Sequence, residues 1–168
     1  LISDNNTVTN FYNYKIFSEL YENNISSISL SLSSANSVTG DDVKLSERLY
    51  IPQKKLRGFA KGKVGPKDGE DYIGGNYYAV INLSSTLPQI LSNNQNVDLG
   101  TFLDVGNIWG VDDSSLDESS KLRSSIGLGI DWFTPVGPLS FSFAHPISKG
   151  STDKTETFRF NLGTTFNE

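Results

Sequence analysis

Apolar side chains recur here at every second position over stretches of roughly ten residues, and no other feature of the sequence limits the fold so tightly. Successive side chains of a strand point to opposite faces, so such a stretch presents one greasy side and one small or charged side. In 122–132, Leu122, Ser124, Ile126, Leu128, Ile130 and Trp132 share one face, and Arg123, Ser125, Gly127, Gly129 and Asp131 share the other. In 97–106, Val97, Leu99, Leu103 and Val105 oppose Asp98, Gly100, Asp104 and Gly106, and 77–83 repeats the scheme through Tyr77, Ala79, Ile81 and Leu83. Leu139, Phe141 and Phe143 mark a further strand, and Phe158, Phe160, Leu162 and Phe166 mark the last. Near the start, Ile28, Leu30 and Leu32 alternate with serines, and Tyr12, Tyr14, Ile16 and Leu20 alternate with Asn13, Lys15 and Glu19. The expectation is an all-β, antiparallel fold with seven strands.

Composition narrows the reading. The apolar runs are only a few residues long, and a helical membrane span needs about 20, so a helical membrane protein is excluded. The slightly negative mean hydropathy does not argue against a transmembrane barrel, because only alternate residues of its strands face lipid. A net charge of -5 without a basic patch argues against a nucleic-acid partner, whose binding needs clustered Lys and Arg. The absence of cysteine removes disulfides, thiolate catalysis and thiolate zinc sites. Leu1-Ile2-Ser3-Asp4 offers neither an initiator Met nor a signal segment, and the expectation is a piece of a longer precursor.

The connections alternate in character. Thr134-Pro135-Val136-Gly137-Pro138 is a tight turn placed on the inner side, whereas the polar loops 110–120 and 147–155 belong on the opposite side. Trp132 and Phe133 beside the turn, and Trp109 at the far end of its strand, fit two aromatic girdles. A soluble β-sandwich gives the same alternation, with its apolar faces packed against each other, and at this point it stays open.

Residues 41–74 break the rhythm with a long stretch rich in Lys, Gly, Asp and Pro and at most a short strand near Val43 to Tyr50. Within it, Leu56-Arg57-Gly58-Phe59 resembles the V-R-G-F motif of BamA-type outer-membrane assembly factors, the family that also holds TamA and the two-partner secretion transporters. The resemblance continues in order through Val64-Gly65-Pro66-Lys67-Asp68, Gly74-Gly75-Asn76 and Asp104-Val105-Gly106-Asn107-Ile108-Trp109. It runs on through 132–139 and 158–166 and covers about residues 11–166, with the terminal two strands nearest the BamA branch.

The resemblance implies that 1–168 is the C-terminal part of one transmembrane barrel domain, the last seven strands of sixteen, with POTRA domains outside this chain. It implies a Gram-negative-type outer membrane and the folding and insertion of other barrel proteins, with unfolded outer-membrane proteins as clients, outer-membrane lipid and accessory lipoproteins as partners. Polypeptide secretion by a barrel of the same family is the alternative. Seven strands support truncation independently, because single-chain bacterial barrels close with an even number.

The resemblance also assigns residues. The loop about 41–74 folds into the lumen, where Arg57 is held by acidic wall residues. Asp104 occupies one acidic position; the other aligns with Ser84, leaving Asp131 or Asp98 to compensate. The terminal strand, Thr155 to Phe166, with Phe158, Phe160, Leu162, Gly163 and Phe166, forms one side of a seam that templates an incoming strand, and Gly163 weakens it. No catalytic residue is expected: His145 is the only histidine and sits at a strand end. No cofactor is expected, since Gly58, Gly62 and Gly65 precede no helix. Asp112, Asp113 and Asp117 are read as a solvated acidic loop and not as a metal site.

Overall fold

The computed structural model describes residues 7–22, 24–87, 96–111, 113, 115–116, 121–135 and 137–162. The strands are β1 (Thr7–Ser18), β2 (Ser26–Ser37), β3 (Lys67–Asp68), β4 (Asp71–Tyr72), β5 (Tyr77–Thr86), β6 (Val97–Trp109), β7 (Arg123–Thr134), β8 (Gly137–Ser148) and β9 (Phe158–Leu162). Seven of them form one antiparallel sheet in the order β1-β2-β5-β6-β7-β8-β9, and β3 and β4 pair as a small separate hairpin inside the long loop.

Register follows from the alternation, because a slip of one residue would turn every apolar side chain to the wrong face. Leu128 stands opposite Phe143, Phe141 opposite Phe160, Ile28 opposite Leu83, and Ile16 opposite Ile28. All of these lie on one face, and that face is bare: Leu128 is 53% exposed and Phe160 49%. A sandwich would have hidden it. An exposed apolar surface running across a whole sheet far exceeds the patch a soluble domain tolerates, and it suits hydrocarbon.

The core lies on the other face. Val43, Leu49, Ile51, Leu56, Phe59 and Val64 come from the loop between β2 and β5 and cluster with Ala35, Tyr78, Val80 and Ile108 of the wall. Small inward residues make room for them: Ser27, Ser31 and Ser33 on β2, and Ser125 and Ala144 on β7 and β8, are all buried. Burying Phe59, 2% exposed, contributes about 1.5–3 kcal/mol by itself.

Some expectations need correction. The segment 43–50 forms no strand extension; it holds a 3-10 turn at Leu45–Glu47 and a single bridge between Leu49 and Gly75. It is fixed by burying Val43 and Leu49, while the Glu47 N–H bonds to the Lys44 carbonyl and Leu49 exchanges both backbone bonds with Gly75. The last strand begins at Phe158, because Thr155 bridges to Phe59 of the loop and does not join β8. Phe133 alternates to the face opposite Trp132, so of the two only Trp132 belongs to the outward side. The turn after β7 is tight as read, with Thr134 paired to Gly137.

Candidate functional site

The loop crosses the inward face of the sheet and meets a different strand every residue or two. Lys55 Nζ donates to Asn13 Oδ1 of β1 (2.8 Å) and Ser31 Oγ of β2 (2.6 Å), while its carbonyl accepts from Asn82 Nδ2 of β5 (2.6 Å). Burial lowers the pKa of its ammonium below the ordinary lysine value. Arg57 meets β6, and its carbonyl accepts from Ser125 Oγ of β7 (2.5 Å). Gly58, at φ +87°, leaves no space for a side chain, since an added Cβ would lie 3.1 Å from the Cβ atoms of both Ser125 and Ala144. The Phe59 carbonyl accepts from Arg159 Nη2 of β9 (2.7 Å).

Arg57 and Asp104 form the centre of this crossing. Nε donates to Oδ2 (2.8 Å), Nη2 to Oδ1 (2.7 Å), and the Arg57 backbone N–H also reaches Oδ2 (3.0 Å). The two-pronged geometry matches the guanidinium fork to the carboxylate. Asp104 is fully buried, and the Arg57 side chain is 24% exposed. The guanidinium carbon lies 3.5 Å from the centroid of the Phe102 ring. Phe102 can lie there because Gly127 stands opposite it in register; a Cβ on Gly127 would meet Phe102 Cζ at 2.4 Å.

The family model matching this chain is that of the Omp85 superfamily domain, over residues 2–166. The chain belongs to the Omp85 superfamily. Its relatives include the outer membrane protein assembly factor BamA of Neorickettsia risticii, 30% identical over 132 residues that make up 76% of this chain and 18% of that protein. BamA of Neisseria meningitidis serogroup B is 30% identical over 141 residues, 66% of this chain and 17% of that protein. A SAM50-like protein of Schizosaccharomyces pombe is 30% identical over 142 residues, 78% of this chain and 30% of its own length. The crystal structure of BamA from Haemophilus ducreyi lacking POTRA domains 1-3 superposes with a TM-score of 0.84 at 27% identity, covering 94% of this chain and 35% of that one. The chain therefore spans less than a third of the curated relatives' length and about a third of that structure. It is a BamA-type, C-terminal barrel portion of an outer-membrane protein.

Within this Omp85 barrel portion, the expected pair of acidic partners is not assembled. Asp131 accepts from Ser140 Oγ (2.5 Å), and Asp98 stands opposite Asp131 in register. Both line an open recess of about 250 Å³ together with Arg57, Ser84 and Phe102, yet among the described residues neither hydrogen-bonds the guanidinium. Ser84 hydrogen-bonds Ser27 (2.8 Å). The second wall group at the clamp is Asn82, directly opposite Asp104, whose Nδ2 donates to Asp104 Oδ1 (2.8 Å). A neutral amide donor there leaves one carboxylate for one guanidinium, so the clamp carries no surplus negative charge.

Two further arginines went unassigned in the sequence. Arg123 and Asp153 are both fully buried; Nε and Nη2 reach the two carboxylate oxygens at 2.8 and 3.0 Å, and Nη1 donates to Asn107 Oδ1 (2.6 Å). Asp153 also accepts from the backbone N–H groups of Gly65 (3.2 Å) and Gly150 (2.5 Å), joining the β8–β9 loop to the long loop. Segment 147–155, read from the sequence as a polar loop, thus contributes a buried carboxylate. Arg159 of β9 bonds to Glu156 and to loop carbonyls.

On the terminal strand, Phe158, Phe160 and Leu162 face outward and are exposed, and the two phenyl rings pack on those of β8, with Phe141 and Phe160 centroids 5.2 Å apart. Gly163 and Phe166 lie outside the described residues. His145 is exposed and stands opposite Ile126. Asp113 is engaged by Ser115, whose N–H and hydroxyl both donate to it and lower its pKa; Asp112 and Asp117 lie outside the described residues. Among the described residues no three metal-ligating side chains cluster.

Proposed function

We propose that this chain is the C-terminal part of a barrel that folds and inserts other β-barrel proteins into the outer membrane. The observation that carries the reading is the Arg57 fork on Asp104, by which a long loop is fastened to the lumenal wall of a BamA-type barrel. The assembly-factor names of the bacterial relatives support it over secretion. In this reading the remaining barrel strands and the POTRA domains belong to the same full-length protein, and unfolded outer-membrane proteins are the clients.

The work is done without making or breaking a covalent bond. An incoming strand adds to the free backbone groups of β9, as extended segments add to any open sheet edge, and the bare apolar face meets outer-membrane lipid. Accessory lipoproteins complete the assembly.

Arg57→Ala in the full-length protein tests the reading. In lipid vesicles the rate of client insertion is expected to fall on the order of tenfold, the scale of a coupling of about 1–3 kcal/mol, while the loop becomes protease-sensitive. Wild-type insertion with a fully cleavable loop would refute the role of the clamp.

A further inference from the structure

The edge strand β9 is held by the loop as much as by the sheet. Among the described residues it pairs with β8 at five positions, Phe143↔Phe158 to Leu139↔Leu162, whereas β7 and β8 pair at eleven. Its inward Arg159 is 6% exposed, so a charge that has left water must find its partners in the lumen. Nη1 donates to the Gln53 carbonyl (2.6 Å) and Nη2 to the Phe59 carbonyl (2.7 Å). Glu156 accepts as well, from Nε (3.2 Å) and Nη2 (2.7 Å), but it is 42% exposed and so contributes less. The two carbonyls stand on either side of Arg57 in the chain. A displacement of Arg57 from Asp104 therefore moves the acceptors on which Arg159 depends.

We propose that Arg159 is a positioning residue through which the lumenal loop holds the edge strand, so that releasing Arg57 from Asp104 loosens β9. The proposal rests on the functional reading above and deepens it, because it names what keeps the templating edge closed. Coupling of this kind needs a physical element that both sites bias, and the segment from Gln53 to Phe59 is that element.

Amide hydrogen exchange on the full-length protein in lipid nanodiscs tests it. Arg159→Gln is expected to speed exchange at Phe158–Leu162 at least about tenfold, the scale expected when a charged group loses its hydrogen bonds. Arg159→Lys, which keeps the charge and can still donate to the carbonyls, is expected to restore much of the protection. Arg57→Ala is the decisive variant, since the described contacts of Arg57 include none to β9: it is expected to raise exchange at 158–162 several-fold. Exchange at 158–162 that stays at the wild-type rate in Arg57→Ala, while the loop itself exchanges faster, overturns the proposal. Because exchange needs no client, lost insertion with uncoupled exchange sinks this inference alone, and coupled exchange with normal insertion sinks the functional reading alone.

Discussion

Two of the carboxylate–guanidinium pairs on the loop-covered face are built in opposite senses. At Arg57–Asp104 the loop brings the cation and the wall brings the acid, and the arginine remains 24% exposed. At Arg123–Asp153 the wall brings the cation, the loop brings the acid, and neither side chain is exposed. A buried pair gains little over an apolar one, but losing half of it strands a charge out of water. The contrast separates a fastening that can open from one that holds the fold: Arg57 can exchange Asp104 for water, whereas Arg123 and Asp153 have none to turn to.

The predictions below grade that contrast. Asp153→Asn is expected to cost the most, about 3–5 kcal/mol, because the fully buried Arg123 loses its counter-charge. Denaturant unfolding of the full-length barrel followed by tryptophan fluorescence measures it, and a cost below that of Arg57→Ala would invert the comparison. Arg57→Ala should come next, at about 2–3 kcal/mol, since it strands the fully buried Asp104, which keeps the Asn82 amide and the backbone N–H of residue 57 as donors. Gly127→Ala is expected to cost about 1–3 kcal/mol because its Cβ would meet both the Phe143 carbonyl of β8 (2.1 Å) and the Phe102 ring (2.4 Å); the ring's share is read from a double-mutant cycle with Arg57→Ala, which should be non-additive. Additive costs there would mean that the ring gives Arg57 no support.

The smallest effect concerns pH. Lys55 has a lowered pKa in the folded protein, so between that value and the unfolded 10.5 the unfolded chain binds more protons, and stability rises with pH across this window. Lys55→Gln should flatten the slope in unfolding curves taken from pH 8 to 10.5. An unchanged slope would assign it to another group.

The strands were readable because lipid and lumen impose opposite chemistry on alternate residues, and each of the seven carries that signature. Arg57 and Asp104 were readable from ordered motifs in the loop and in β6. Asn82 was missed for Ser84 because the two share a face two residues apart, and only the register, Asn82 against Asp104, tells them apart. Asp153 sits in a polar run that looks solvated, thirty residues from Arg123, and composition carries no trace of that pairing. Arg159 was visible as an inward residue, but two of its partners are backbone carbonyls, which any amino acid supplies. The small β3–β4 hairpin escaped notice because two-residue strands leave no period to detect.

The transverse course of the loop from β1 to β9 has a further consequence, for permeation. Among the described residues, apolar side chains and paired ions cover the inward side of this part of the wall beside an open recess of about 250 Å³. Ionic current across a planar bilayer holding the full-length protein is therefore expected to rise when Arg57→Ala unseats the loop, and an unchanged current would show that the loop does not limit passage.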